Sequence, residues 1–97
     1  MAKQLSALAD ALEVVFDEAV VNGDDNELFA SGYLRGHFDL VVAQLELQGE
    51  QAPEKLWEEL RLALHNTRGE LNPQDQQHVK NMLERLIAAA DNMASID

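Results

Sequence analysis

Tyr33, Arg35 and His37 are the side chains of this sequence with the widest chemical repertoire, and they stand close together in the chain. A histidine can serve as a general base or as a metal ligand. A base needs a carboxylate to orient it, and Asp39, two residues beyond His37, projects from a different side of a helix. We therefore interpret His37 as hydrogen-bonded at a helix boundary. We expect Arg35 to pair with Asp39, four residues further on.

Two glycines, Gly32 and Gly36, stand among these side chains. A glycine inside a helix costs about 0.5–1 kcal/mol relative to alanine, so something must offset the cost of the pair. Glycines four residues apart open a notch on a helix, into which either another helix packs or a ligand or partner side chain enters. The candidate ligand or partner surface around this notch comprises Phe29, Gly32, Tyr33, Arg35, Gly36 and His37.

No pattern for metal binding or nucleophilic catalysis stands out. The chain has no cysteine, which excludes thiolate nucleophiles, thiolate ligands and disulfides. A di-iron bundle needs inward-facing Glu-x-x-His on two helices, whereas the nearest match, Asp75 to His78, lies off the apolar stripe and has no counterpart. The run from Asp24 to Glu27 resembles the opening of a calcium loop without its ring of ligands, and we interpret it as a helix start. We therefore predict no catalytic residues, no metal and no cofactor, which favours a protein that is not an enzyme.

The charge balance is the most distinctive bulk property, with 18 acidic against 7 basic residues and a net charge of −11. Nucleic-acid backbones and anionic membranes require clustered cations, and the cations here are scattered, so neither is expected as a direct partner. A basic protein would be attracted. Asp10, Glu13, Asp17 and Asp24 form an acidic stripe that either docks such a partner or is simply solvated.

Helical periodicity runs through the chain, and no segment shows the sustained alternation of a strand. It predicts an all-α fold of four helices at about residues 3–21, 26–48, 53–67 and 73–94. The connections are short, which favours an antiparallel, up-down-up-down four-helix bundle and one domain over residues 1–97.

Local signals predict the helix ends. Gly23 should end the first helix in the left-handed cap conformation, and Gly49 should end the second. Asp25 or Asn26 should cap the start of the second helix. Asn72, followed by proline, should cap the fourth.

The second helix differs from the others because its apolar residues form two faces. One face consists of Leu34, Phe38, Val41, Val42 and Leu45. The roughly opposite face consists of Phe29, Gly32, Tyr33, Gly36, Leu40, Ala43 and Leu47. A helix that is apolar on two sides should have neighbours on two sides, so we expect it to be the central helix, covered on both faces.

Three valine and leucine residues, Val14, Val21 and Leu62, fall outside the apolar stripes of their helices. They are either buried by curvature of the bundle or mark a contact with a partner or a second copy. The N-terminal residues lack the basic region and apolar run of a signal peptide, and no segment approaches the roughly 18 apolar residues of a membrane span. We expect a soluble, cytoplasmic protein.

The segment 25–37, which reads DNELFASGYLRGH, resembles the centre of the YfcL family of small bacterial proteins. The likeness extends more weakly over most of the chain, including the fourth-helix opening Asn72-Pro73-Gln74-Asp75. The resemblance implies a bacterial, cytoplasmic protein, and it supplies no catalytic residues to carry over.

Two functional hypotheses follow. The first is a non-catalytic, acidic helical module that binds a protein partner, or itself, through a face of the bundle. The second is a small-ligand-binding protein or weak enzyme centred on Tyr33, Arg35 and His37, which requires those side chains to converge on one pocket. A notch filled by a helix of the same chain would make the glycines structural and would weaken the second hypothesis.

Overall fold

The computed structural model describes residues 4–50 and 52–96, and these are almost entirely helical. The helices are α1 (Gln4–Asn22), α2 (Asp25–Leu47), α3 (Pro53–Asn66) and α4 (Pro73–Ile96), with a short 3₁₀ helix at Arg68–Glu70. No strand occurs within the described residues. The prediction of an all-α, four-helix fold is confirmed, with helix ends at most two residues from their expected positions. The expected start of the first helix at residue 3 lies outside the described residues.

The core is built from one stripe of each helix. Phe16 of α1 and Phe38 of α2 are buried and meet edge to face, with 5.3 Å between their ring centroids. Around them lie fully buried leucines from all four helices, namely Leu5, Leu12, Leu34, Leu56, Leu60 and Leu86. Burial of each such side chain contributes roughly 1.5–3 kcal/mol. Val20, in the last turn of α1, is 53% exposed.

Helix α2 is the central element, since each of the other three helices makes its most extensive contact with it. The expectation that both of its apolar faces are covered is wrong. The face with Leu34 and Phe38 is buried, whereas Leu40 and Leu47 on the opposite face are 58% and 89% exposed. The three neighbouring helices all pack around one broad arc of α2, which leaves its other side open.

Helices α3 and α4 depart from side-by-side packing. A short connection joins them, yet among the described residues they barely contact each other. Each packs mainly on α2, and α1 adds further contacts to both. A groove therefore runs between α3 and α4.

The start of α2 is capped one residue earlier than expected. Asp24, rather than Asp25 or Asn26, accepts a hydrogen bond from the Glu27 amide at 2.9 Å, and the Glu27 side chain completes a capping box. At the start of α4, Asn72 Oδ1 accepts a hydrogen bond from the Asp75 amide at 2.8 Å, which confirms the predicted cap.

The two glycines at helix ends have different roles. Gly49 follows α2, as predicted, and has a φ of 76°, in the left-handed region that glycine adopts without strain. Gly23 does not adopt a positive φ, so the left-handed cap predicted there is wrong. Its lack of a side chain is needed for a close approach instead, because a Cβ would fall against Ala19 O and within 2.8 Å of Glu27 Cβ.

Candidate functional site

The exposed face of α2 carries most of the candidate residues. We define the α2 face by Phe29, Gly32, Tyr33, Gly36, Leu40, Ala43 and Leu47. Their spacing of three and four residues aligns them in a single stripe roughly 27 Å long. Phe29 is 40% exposed and Tyr33 is half-buried, while the other members are exposed. A continuous apolar stripe of this kind on a surface is typical of an interaction site.

Three rings form a wall along one edge of the α2 face. The ring centroids of Phe29 and Tyr33 are 5.9 Å apart, and those of Tyr33 and His37 are 5.0 Å apart. Beside this wall, a Cβ added at Gly32 or Gly36 would meet nothing within 4 Å apart from its own helix backbone and immediate chain neighbours. The notch is therefore open to solvent.

His37 packs against Tyr33 in this wall and is half-buried. Its imidazole makes no hydrogen bond to any described residue, so the predicted hydrogen bond of His37 is not observed. The ring instead packs on Tyr33, four residues earlier in the helix, with the two ring planes tilted by 58°.

Arg35 projects from the other edge of α2, toward α1. Its guanidinium pairs with Glu13 and lies 3.6 Å from the Asp17 carboxylate, and it sits 5.6 Å from the centroid of the Phe16 ring. The expected pairing with Asp39 is wrong, because packing of α1 brings two carboxylates to Arg35. Arg35 therefore does not converge with Tyr33 and His37 on one pocket, as the second hypothesis required.

The residues of the acidic stripe have separate roles. Glu13 and Asp17 pair with Arg35, and Asp24 caps α2. Asp10 is exposed. The acidic stripe is thus partly neutralised, because the packing of α2 against α1 brings Arg35 to two of its carboxylates.

A second cross-link joins the start of α2 to α4. Arg85 Nη1 lies 3.1 Å from Glu27 Oε2, beside a small cavity of about 230 Å³ that His78 also lines. Glu27 thus serves both the capping box and this ion pair. Within the described ranges, no three or more His, Asp or Glu side chains gather in a group that could hold a metal ion.

The groove between α3 and α4 was not expected from the sequence. Its volume is about 560 Å³, and the short connection between the two helices forms one end of it. Its apolar lining comes from Leu64, Leu71, Val79, Leu83 and Ile87. Arg61 and His65 of α3 and Arg68 of the 3₁₀ helix also line the groove, together with Lys80 of α4. The spacing of the first three residues in the sequence was the one local signal of a cationic edge.

Tyr33 connects the α2 face to this groove. Its hydroxyl lies 3.1 Å from Thr67 Oγ1 and 3.0 Å from Glu70 Oε1, and its single proton can be donated to one of the two. Thr67 Oγ1 in turn donates to the Ala63 carbonyl at 3.0 Å. The phenol therefore holds the connection between α3 and α4 against α2.

No helix of the described residues combines the length and the apolar character needed to cross a membrane. A family model described as "YfcL protein" matches residues 6–88. A protein of Escherichia coli (strain K12) named "Uncharacterized protein YfcL" is 38% identical over 78 residues, which cover 78% of this chain and 85% of that protein. No solved structure matches.

Proposed function

This chain belongs to the YfcL family, and from its surface we propose that it is a non-catalytic interaction module that binds a basic amphipathic helix of another protein. Neither the family description nor the relative's name assigns a biochemical function, so the proposal rests on the molecule itself. The single observation that carries it is the α2 face, an apolar stripe on the central helix that the rest of the described chain leaves exposed except at Tyr33. Burial of such a stripe against a partner would remove apolar surface from water.

A helix is the occupant that fits the notch. Gly32 and Gly36 lie about one helical turn apart, and without side chains they let another backbone approach α2 closely. The ring wall of Phe29, Tyr33 and His37 gives that helix one flank to pack on. Leu40 and Leu47 extend the contact along the same stripe. A partner helix with apolar residues at intervals of three and four would match it.

The charge around the notch selects a basic partner. Asp25 and Asp39 border the α2 face, are exposed, and form no ion pair with any described residue. The whole chain carries a net charge of −11. Lysine or arginine on the flanks of the partner helix would complement these carboxylates and increase the association rate. A second copy of the chain would instead bring another −11 to the contact, so we commit to a different protein.

The source, the cellular location and the helix order of this module are also part of the proposal. We propose a bacterial protein, which the Escherichia coli relative supports. We propose a cytoplasmic location, since a chain without cysteine suits a reducing compartment. We also retain the up-down-up-down order of the helices, which the short connections favour.

The test is capture from an Escherichia coli lysate followed by mapping of cross-links on the captured protein. Gly36→Leu fills the notch, and its Cβ has open space within the chain, so the variant should fold. Leu62→Ser is the matched control, because Leu62 is a 51% exposed apolar residue on α3, away from the α2 face. Circular dichroism checks that both variants are helical.

We expect one protein to be captured by the wild-type chain and by the Leu62→Ser variant, and not by the Gly36→Leu variant. Its cross-linked segment should be a basic amphipathic helix joined to residues of the α2 face. Capture that survives Gly36→Leu would overturn the proposal. Cross-links to another face, or to a second copy of this chain, would overturn it equally, and so would the absence of any protein with this pattern.

A further inference from the structure

The lysines and arginines of the described residues fall into two sets. Arg35, Lys55 and Arg85 each pair with a carboxylate of the same chain. The other set has no described carboxylate within ion-pair distance and consists of Arg61, Arg68 and Lys80. All three line the groove between α3 and α4, together with His65.

The floor beneath these cations is apolar. Val79 and Leu83 are buried members of the core, and Leu64, Leu71 and Ile87 are partly buried against it. The groove's volume of about 560 Å³ lies within the range of roughly 300–1,000 Å³ that is typical of small-molecule sites. It exists because α3 and α4 pack on α2 and barely on each other, which leaves apolar floor without a covering helix.

We propose that this groove binds a small amphipathic anion with one aliphatic chain and one carboxylate head. The chain lies on the apolar floor, and Arg61, Arg68 and Lys80 receive the carboxylate. Guanidinium groups suit this role, since they can form paired, charge-assisted hydrogen bonds to a carboxylate. Arg68 donates one of its N–H groups to the His65 carbonyl, which leaves its other donors for a ligand.

A single negative charge fits this site better than several. Glu84 lies on the same rim, and the chain as a whole is strongly acidic, so a polyanion would be repelled. The groove and the α2 face are different surfaces that have one residue, Tyr33, in common.

The test uses dodecanoate, kept below the concentration at which it forms micelles, and the full chain. Calorimetry should show saturable binding at one site, and backbone amide signals should shift along the groove, at Leu64, Leu71, Val79, Leu83 and Ile87. Arg61→Gln should weaken binding about fivefold, and the double variant Arg61→Gln/Lys80→Gln at least about tenfold. The matched control is Lys55→Gln, which removes one charge from α3 outside the groove and should leave binding unchanged.

Three further ligands and one variant complete the test. Dodecanol and dodecyltrimethylammonium carry the same chain without a negative head and should bind much more weakly than dodecanoate, as should acetate, which lacks the chain. Equal binding of any of these would overturn the proposal, and so would no saturable binding or an unaffected double variant. Gly36→Leu should leave dodecanoate binding intact. Signals that shift on the α2 face instead of the groove would place the ligand elsewhere and end the proposal.

Discussion

The guanidinium of Arg35 on α2 lies against the carboxylate of Glu13 on α1. The same group sits 5.6 Å from the centroid of the buried Phe16 ring, so one side chain covers the edge of the core and joins the two helices. The side chains of both partners are only about one-third exposed, so solvent and salt screen the attraction between their charges less than at a fully exposed site.

The first prediction concerns this arginine. Arg35→Ala should lower the free energy of unfolding by about 1–2 kcal/mol, because it removes an ion pair, a cation–π contact and the packing of the aliphatic stem. Urea denaturation measures the change. Arg61→Ala is the control: it removes an arginine without an ion pair and should stay within about 0.5 kcal/mol of wild type. A double-mutant cycle with Glu13→Ala should give a coupling of about 0.5–1 kcal/mol, and equal effects of the two arginine variants would contradict the interpretation.

The second prediction concerns the open notch. Gly32→Ala and Gly36→Ala should each raise the free energy of unfolding by about 0.5–1 kcal/mol, since alanine is the better helix former. Neither added Cβ has a neighbour to displace within 4 Å. Thermal and urea denaturation give the sign directly. A loss of stability at either position would mean that the glycines serve packing within the chain, and it would remove the main support for a docking notch.

Two other glycines provide controls of opposite sign for that experiment. Gly23→Ala should destabilise by about 1–3 kcal/mol, because its Cβ would press on Ala19 O and the surrounding backbone must shift. Gly49→Ala should cost about 1–2 kcal/mol, since an L-residue is strained at a φ of 76°. If alanine raised the free energy of unfolding at all four glycines, the effect would come from the lower entropy of the unfolded chain and not from the local structure at these sites.

The third prediction separates two neighbouring aspartates. Asp24→Ala should destabilise by about 0.5–2 kcal/mol, because it removes the hydrogen bond to the Glu27 amide that caps α2. Asp25→Ala should change stability by no more than about 0.5 kcal/mol. Asp24→Asn preserves an acceptor and should retain most of the wild-type stability. If Asp25→Ala destabilised the protein more than Asp24→Ala, the helix cap would lie at Asp25, as the sequence analysis expected.

The fourth prediction concerns the phenol of Tyr33. Tyr33→Phe should lower the free energy of unfolding by about 0.5–1.5 kcal/mol, since the Thr67 and Glu70 oxygens lose their contact with the hydroxyl. Hydrogen exchange should quicken in the connection around residues 67–71, while the buried turns of α2 keep their protection. Unchanged exchange in that connection would show that the hydroxyl does not hold it.

Much of the local structure could be predicted because it depends on neighbours in the chain. The periodicity of leucine and valine positions indicated four helices, and Asn72 and Gly49 marked ends that the structure confirms. The cap at the start of α2 was missed by one residue, since several consecutive residues there can all serve as caps and only the local geometry selects Asp24.

The candidate site was less predictable because side-chain partners come from other helices. Arg35 was paired with Asp39 by spacing, whereas its carboxylates come from α1. Phe29, Tyr33 and His37 do form one cluster, since residues four apart lie side by side on a helix. Arg61 and Arg68 are close in sequence, but Lys80 comes from another helix, so only packing brings the three groove cations together.

By itself, the sequence determined the number and type of the elements, the absence of thiol chemistry and the acidity of the surface. Those properties follow from composition and from contacts within a few residues. Only the tertiary structure decided that the second apolar face of α2 stays exposed and that α3 and α4 leave a groove between them. An amphipathic pattern specifies that a face is apolar, but what covers that face depends on how neighbouring helices share the available core.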